Sequence, residues 1–369
     1  MHTEELLEHG FLANTNNRIR RPPLDALTGL RFLAALYVML FHFGAAFTSR
    51  IHLPRPVTAF LEYGNLGVCL FFLLSGFILL YTYAGNLQSP RDHYRFFVAR
   101  FCRIYPVYLL AAGAECLVNQ RLPRGSELSY FTLLQSWTPA SSPHGYLWIT
   151  QAWTLSVEVF FYGCFPVLLP LVMRITKRAV LWTLVISIAL FIGLLELPLQ
   201  HAGMGSPVAW VFLPLLRIPE FCLGMLMGRL FLERDRGTSV LRHNSWITFA
   251  GMLPAIALIA CSASSQVVSL AAVFWFTWAI YRLASGTGWL AELLSTKIFI
   301  LLGGASYSIY LLQSPVRELL RQHVGPMHPS LDAALSPIVL IAVSIVIFLY
   351  YEEPLRERLR SALTTPHRS

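Results

Sequence analysis

The chain has 369 residues, of which 56% are apolar and only 13% charged, with a net charge of +9. A soluble domain would carry about 25% charged residues. The composition excludes an ordinary soluble globular domain and sets the basic excess against a membrane surface, with no nucleic acid partner implied.

Residues 1–23 are polar, mixed in charge, and end in Arg18, Arg20, Arg21, Pro22 and Pro23. They are too polar for the core of a cleavable signal peptide and are expected to form a cytoplasmic N-terminal tail. Apolar runs of spanning length then recur at about 29–48, 64–83, 104–119, 153–173, 179–197, 208–231, 245–262, 266–283, 298–313 and 334–351. The expected fold is all-α, a polytopic transmembrane helix bundle of about ten spans, the third and ninth short for a bilayer. Residues 355–369 are expected to form a cytoplasmic C-terminal tail.

With the N-terminus inside, 21 of the 28 Lys and Arg residues fall on the inner side and six on the outer. This bias predicts that both termini are cytoplasmic. The six cysteines, Cys69, Cys102, Cys116, Cys164, Cys222 and Cys261, lie in or beside apolar runs without metal-ligand spacing, and read as small core residues. No cluster offers three suitable ligands, so no metal is implied. The longest stretch between spans, 120–152, holds Trp137, Tyr146 and Trp148. It reads as an interfacial aromatic belt or as a platform for a sugar or lipid.

Ionisable groups within spans are costly and mark candidate sites. His42 lies deep in the first span, where no loop can solvate it. Imidazole titrates near neutrality and can act as a general base. Arg31 precedes His42 by eleven positions, which places both on one helix face, about 16 Å apart along the axis. The spacing suits an extended ligand with phosphates at one end and a reactive carbon at the other. Arg91, Arg95, Arg100 and Arg103 lead into the third span. Arg100 and Arg103 share a face if the helix has begun, and guanidinium forks suit phosphate. Glu158 lies one to two turns below the outer surface, at a depth where it could orient His42. Arg217 and Glu220, three positions apart, read as a structural ion pair. Ser75 and Ser156 are candidate oxyanion donors.

Five blocks together resemble the acyltransferase 3 family of bacterial integral membrane proteins. The first runs from Leu24 through Arg31 to His42, with ten residues between the Arg and the His. The others are Gly67–Phe77, Arg100-Phe101-Cys102-Arg103-Ile104-Tyr105-Pro106, Trp153–Glu158 with Phe161-Tyr162, and Ser306–Leu311. The resemblance covers about Leu24 to Pro354, the expected membrane-embedded acyltransferase domain. The ninth-span block departs from the family where a His often stands; here it reads Gln313-Ser314-Pro315.

The resemblance implies an acyl-CoA donor, acetyl-CoA by family frequency, with acylation of a hydroxyl on a sugar, polysaccharide, lipid-linked glycan or related acceptor at the bacterial inner membrane. It implies His42 as the catalytic base with Glu158 beside it, and Arg31, Arg100 and Arg103 as donor-binding residues. Direct transfer and a parked acyl-enzyme both remain open. No esterase-type domain is expected after the last span. The alternative is a polytopic transporter of a sugar or lipid-like substrate, suggested by the polar groups within spans and the Pro-broken sixth span.

Overall fold

The structure, a computed structural model, describes residues 19–48, 54–119, 127–137, 149–200, 211–233, 257, 265–324 and 329–364. Among these the chain is all-helical, without strands. Helix α1 covers Asp25–Thr48 and α2 Arg55–Glu62; a 3-10 turn at Tyr63–Asn65 leads into α3, Leu66–Tyr83. Then come α4 (Pro90–Asn119), α5 (Glu127–Phe131), α6 (Trp153–Arg174), α7 (Arg178–Gln200), α8 (Leu213–Leu232) and α9 (Ser265–Leu283). The chain continues with α10 (Trp289–Leu294), α11 (Lys297–Gly304), α12 (Ser306–Leu311), α13 (Gln313–Val324), α14 (Pro329–Ile347), a π-helical turn at Phe348–Glu352, and α15 (Glu353–Thr364).

Among the described residues, six helical stretches are long and apolar enough to cross a membrane: Asp25–Gly44, Arg55–Tyr83, Pro90–Asn119, Thr150–Arg174, Gln266–Leu283 and Ala334–Thr364. Helix α7 contributes a shorter apolar stretch, Arg178–Leu194. Helix α8 carries Arg217, Glu220 and Arg229, and these charges lower its hydropathy. Of the expected span at 245–262 only residue 257 is described, and Tyr146, Trp148 and Cys261 lie outside the described residues. Large apolar side chains such as Leu117, Val167, Leu194, Ile338 and Val346 point outward, as a lipid-facing surface requires.

Three findings change the expected boundaries. Helix α4 begins at Pro90, well before the run at 104–119. Ser89 and Asp92 form a reciprocal cap: the Ser89 N–H donates to Asp92 Oδ2 at 3.1 Å, and the Asp92 N–H donates to Ser89 Oγ at 3.2 Å. Proline in the first position costs no hydrogen bond. Arg100 therefore lies ten residues inside a continuous helix, about 15 Å from its start. The expected ninth span is three short helices, α11 to α13, tightened at Ala305 and Leu312 and running on to Val324. The expected C-terminal tail is helical to Thr364, and Tyr94 Oη holds it by donating to the Leu363 carbonyl at 3.1 Å.

The bundle centres on α1, α3 and α8. Helices α3 and α8 run parallel and approach through glycine. A Cβ on Gly76 would lie 2.0 Å from the Phe221 oxygen, and one on Gly224 would lie 2.1 Å from the Leu73 oxygen. Small residues let backbones meet where no hydrophobic effect drives helices together. Helix α1 lies antiparallel to α3, with Gly67 against Ala34 and Val38 and Gly64 against Tyr37 and Phe41. Five cysteines, Cys69, Cys102, Cys116, Cys164 and Cys222, are free thiols.

Candidate active site

Between α1, α3, α4, α6 and α12 lies a cavity with about 760 Å³ of empty space, part of it continuous with the outside. Its wall on α3 runs from Val68 to Leu79. Those eleven steps make it about 16 Å long parallel to the helix. Arg31, Arg100, Arg103 and Glu158 all line it, with Ser75, Tyr162, Ser306, Tyr307 and Tyr310.

Each of these side chains is placed by its helix. Arg100 and Arg103 share one face of α4, the arrangement the early start of that helix creates. Arg31 stands on α1 within electrostatic reach of Arg103, Glu158 and Glu352. Glu158, on the second turn of α6, accepts a hydrogen bond from Tyr162 one turn on. The Arg100 guanidinium stacks 5.7 Å from the centre of the Tyr162 ring. Its Nε is buried with no hydrogen-bond partner among the described residues. Tyr307 Oη donates to the Ile104 carbonyl at 2.9 Å, joining α12 to α4. Glu352, on the π-helical turn, accepts from Ser308 Oγ at 2.7 Å.

Three guanidinium groups and one carboxylate in the wall leave an excess of positive charge facing an enclosed space. Buried charge is stable only when it is paired or hydrogen-bonded. The orphaned Arg100 nitrogen and the surplus cations are chemically suited to an anion with several oxygens.

His42 does not line this cavity. The cavity's outer end, Val68, lies beside Gly67, which packs on Val38. His42 is one turn further along α1, about 6 Å. Its imidazole packs edge-on against Phe41, with ring centres 5.1 Å apart. The ionised side chain that acts on it is Arg317, whose Nη1 donates to the His42 carbonyl at 3.3 Å. No hydrogen bond joins Glu158 to His42 among the described residues. Glu158 stands with the arginines and Tyr162, because an elongated cavity brings residues of different depth into one wall.

Ser75 lines the cavity, but Ser156 is turned into the protein, where its Oγ accepts from the Ser136 N–H at 3.3 Å. Arg217 and Glu220 form the expected ion pair, 2.9 Å apart. Sequence reasoning missed Tyr162 as the partner of Glu158, although its i, i+4 spacing was visible. It also missed Glu352 and the Arg317–Asp332 pair, which join segments distant in sequence.

The comparisons agree with this architecture. Residues 24–352 match the family profile described as an acyltransferase domain. The chain is 32% identical over 225 residues to acyltransferase MdmB of Streptomyces mycarofaciens, covering 56% of this chain and 57% of that protein. It is 30% identical over 202 residues to regulator of hypoxia-inducible factor 1 of Caenorhabditis elegans, covering 46% of this chain and 39% of that one. It is 21% identical over 368 residues to O-acetyltransferase OatA of Staphylococcus aureus, covering 91% of this chain and 57% of that one. The chain thus spans about half the length of these curated relatives. No solved structure matches it. The profile match extends over nearly the whole described bundle, including every residue of the cavity wall, and the chain belongs to the acyltransferase 3 family.

Proposed function

We propose that the protein is an O-acyltransferase of the bacterial inner membrane, with about ten spans and both termini in the cytoplasm. Its donor is an acyl-CoA, with acetyl as the default acyl group. Its acceptor is a hydroxyl of a sugar, polysaccharide or lipid-linked glycan. The observation that carries this reading is the elongated cavity, with three arginines in its wall and its outer end pointing along α1 toward His42.

In this reading Arg31, Arg100 and Arg103 hold the donor's diphosphate, and the pantetheine arm runs outward. The about 16 Å between Arg31 and His42 is the span that arm must bridge. A nitrogen of His42 takes the proton from the acceptor hydroxyl as its oxygen attacks the acyl carbon. The carbon–sulfur bond breaks, and the leaving thiolate recovers the proton from the imidazolium. Glu158 and Tyr162 hold the arginines in their forked geometry and limit their mutual repulsion.

The test is thiol release from acetyl-CoA by purified protein in nanodiscs, comparing wild type with His42→Ala and Arg31→Ala. Slow turnover lost in His42→Ala, with a raised KM in Arg31→Ala, supports the reading. Absence of both turnover and calorimetric binding of acetyl-CoA in wild type would overturn it.

A further inference from the structure

A second cavity lies at the end of the bundle that holds residues 19–24 and α15. It contains about 1730 Å³ of empty space, part of it continuous with the outside, and Arg20, Arg21, Arg95 and Arg360 line it with one carboxylate, Asp92. Ile78 stands in the walls of both cavities.

Three helices give the same order of depth. Leu24, just before α1, and Thr28 on it face the second cavity, and Arg31 the first. On α3, Tyr81 and Thr82 face the second, and Ser75 and Val68 the first. On α4, Arg95 and Ala99 precede Arg100 and Arg103. The two cavities are successive chambers along one axis, and His42 lies beyond the far end of the first.

Arg20 and Arg360 carry the surplus charge of the second chamber. Asp92 is engaged in the cap of α4, its Oδ2 accepting from Ser89 Oγ at 2.7 Å and from the Ser89 N–H at 3.1 Å. Arg21 is structural: Nη1 and Nη2 donate to the carbonyls of Tyr81 and Ala84 at 2.5 and 2.8 Å. Arg20 and Arg360 are exposed to the chamber and form no ion pair among the described residues. A positive-inside bias accounts for arginines on this side of the protein. It does not account for three separate segments converging around one space. Those segments are fixed in place. Asn86 Oδ1 accepts from the Ile19 N–H at 2.9 Å, Asn86 Nδ2 donates to the Ile19 carbonyl at 2.9 Å, and Tyr81 Oη donates to the Pro22 carbonyl at 3.1 Å.

We propose that this second chamber holds the 3′-phosphoadenosine end of the CoA donor, with Arg20 and Arg360 on its phosphomonoester. The proposal rests on the donor reading above and extends it from the diphosphate to the nucleotide. A phosphomonoester carries a charge of about −1.5 to −2 near neutrality, enough to engage two or three guanidinium groups. An anionic lipid headgroup offers the same chemistry, so the experiment must tell the two apart.

The experiment measures KM for acetyl-CoA, acetyl-dephospho-CoA and acetyl-pantetheine in phosphatidylcholine nanodiscs, for wild type, Arg20→Ala, Arg360→Ala and the double variant. Arg358→Ala, an exposed cation on α15 outside the chamber wall, is the control. Calorimetry of adenosine 3′,5′-bisphosphate binding runs in parallel. The expected result is a KM for acetyl-CoA raised about tenfold in the double variant, the scale of a lost charge-assisted contact. KM for acetyl-dephospho-CoA and acetyl-pantetheine should not change, and bisphosphate binding should weaken in step. An equal rise for all three thioesters, or none, overturns the proposal. So does an effect that appears only in phosphatidylglycerol nanodiscs and ignores the nucleotide, which would assign the arginines to lipid. If wild type neither turns over nor binds acetyl-CoA, the donor reading fails, and bisphosphate binding still decides whether the chamber is a nucleotide site.

Discussion

Arg317 donates from Nη1 to the main-chain oxygen of His42 at 3.3 Å while its Nε and Nη2 reach Asp332 Oδ2 at 3.3 and 2.9 Å. The guanidinium also lies 4.9 Å from the centre of the Phe43 ring. One side chain of α13 thus clamps the turn of α1 that carries the proposed base, and a carboxylate of α14 clamps that side chain. Lysine has the charge but neither the planar fork nor its several donors. Arg317→Lys is expected to lower kcat for acyl transfer about tenfold through misplacement of His42. KM for acetyl-CoA should change less than threefold, because Arg317 is remote from the arginine cavity. Steady-state kinetics separate the two; a change confined to KM would refute the positioning role.

Asp332 gives a pH signature. Burial alone would raise its carboxyl, but hydrogen bonds from Arg317, Ser336 and Arg321 outweigh it and hold the group at about 2. An unfolded Asp titrates at about 3.9. Because the folded value is the lower one, the stabilisation is fully present above the unfolded value and disappears as pH falls toward the folded one. The window lies between about pH 5 and about pH 2. Thermal melts in nanodiscs across that range should show a steep acid limb for wild type and a shallower one for Asp332→Asn. Superimposable limbs would show that the cluster contributes nothing on folding.

Gly76 makes a sharper stability prediction. A Cβ there would lie 2.0 Å from the Phe221 oxygen and 3.0 Å from the Met225 nitrogen, both backbone atoms that no rotamer change can move. Gly76→Leu must therefore spread α3 from α8. The cost is at least the about 1–3 kcal/mol of an overpacked core. A lower thermal midpoint is expected, with loss of acetyl-CoA binding, because α3 supplies much of the cavity wall. Gly113 has nothing within 4 Å of its added Cβ, so Gly113→Ala on α4 should melt like wild type.

The helical class, the placement of most long helices and the gathering of Arg31, Arg100 and Arg103 were legible in the sequence, because apolar runs and i, i+3 spacing are local properties. What misled was hydropathy at polar helix segments. It began the third span at 104, whereas the cap formed by Ser89 and Asp92 begins α4 at Pro90 and carries Arg100 and Arg103 into the bundle. It closed the ninth span at 313, although helical structure continues through Arg317 and Arg321 to Val324. Counting depth from helix ends paired Glu158 with His42. A cavity about 16 Å long makes depth a poor guide to contact, and the hydrogen bond that Glu158 accepts comes from Tyr162, four positions away.

Gln313 stands where the family often has a histidine. It is 2% exposed, and neither its Oε1 nor its Nε2 has a hydrogen-bond partner among the described residues. Tyr310, Gln313 and Arg317 follow at i, i+3 and i+7, so they share a face running from the arginine cavity at Tyr310 to the clamp on His42. A buried amide left without partners costs about 1–3 kcal/mol, and an apolar side chain of similar size removes that cost. Gln313→Leu is therefore expected to raise the thermal midpoint. If the amide meets its partner only when substrate arrives, the same substitution should slow transfer about tenfold or more. Melting curves and turnover on one preparation of each variant decide the matter. A gain in stability with a loss of turnover assigns Gln313 to the substrate, whereas a loss of stability with turnover intact shows a packing residue whose amide serves the fold.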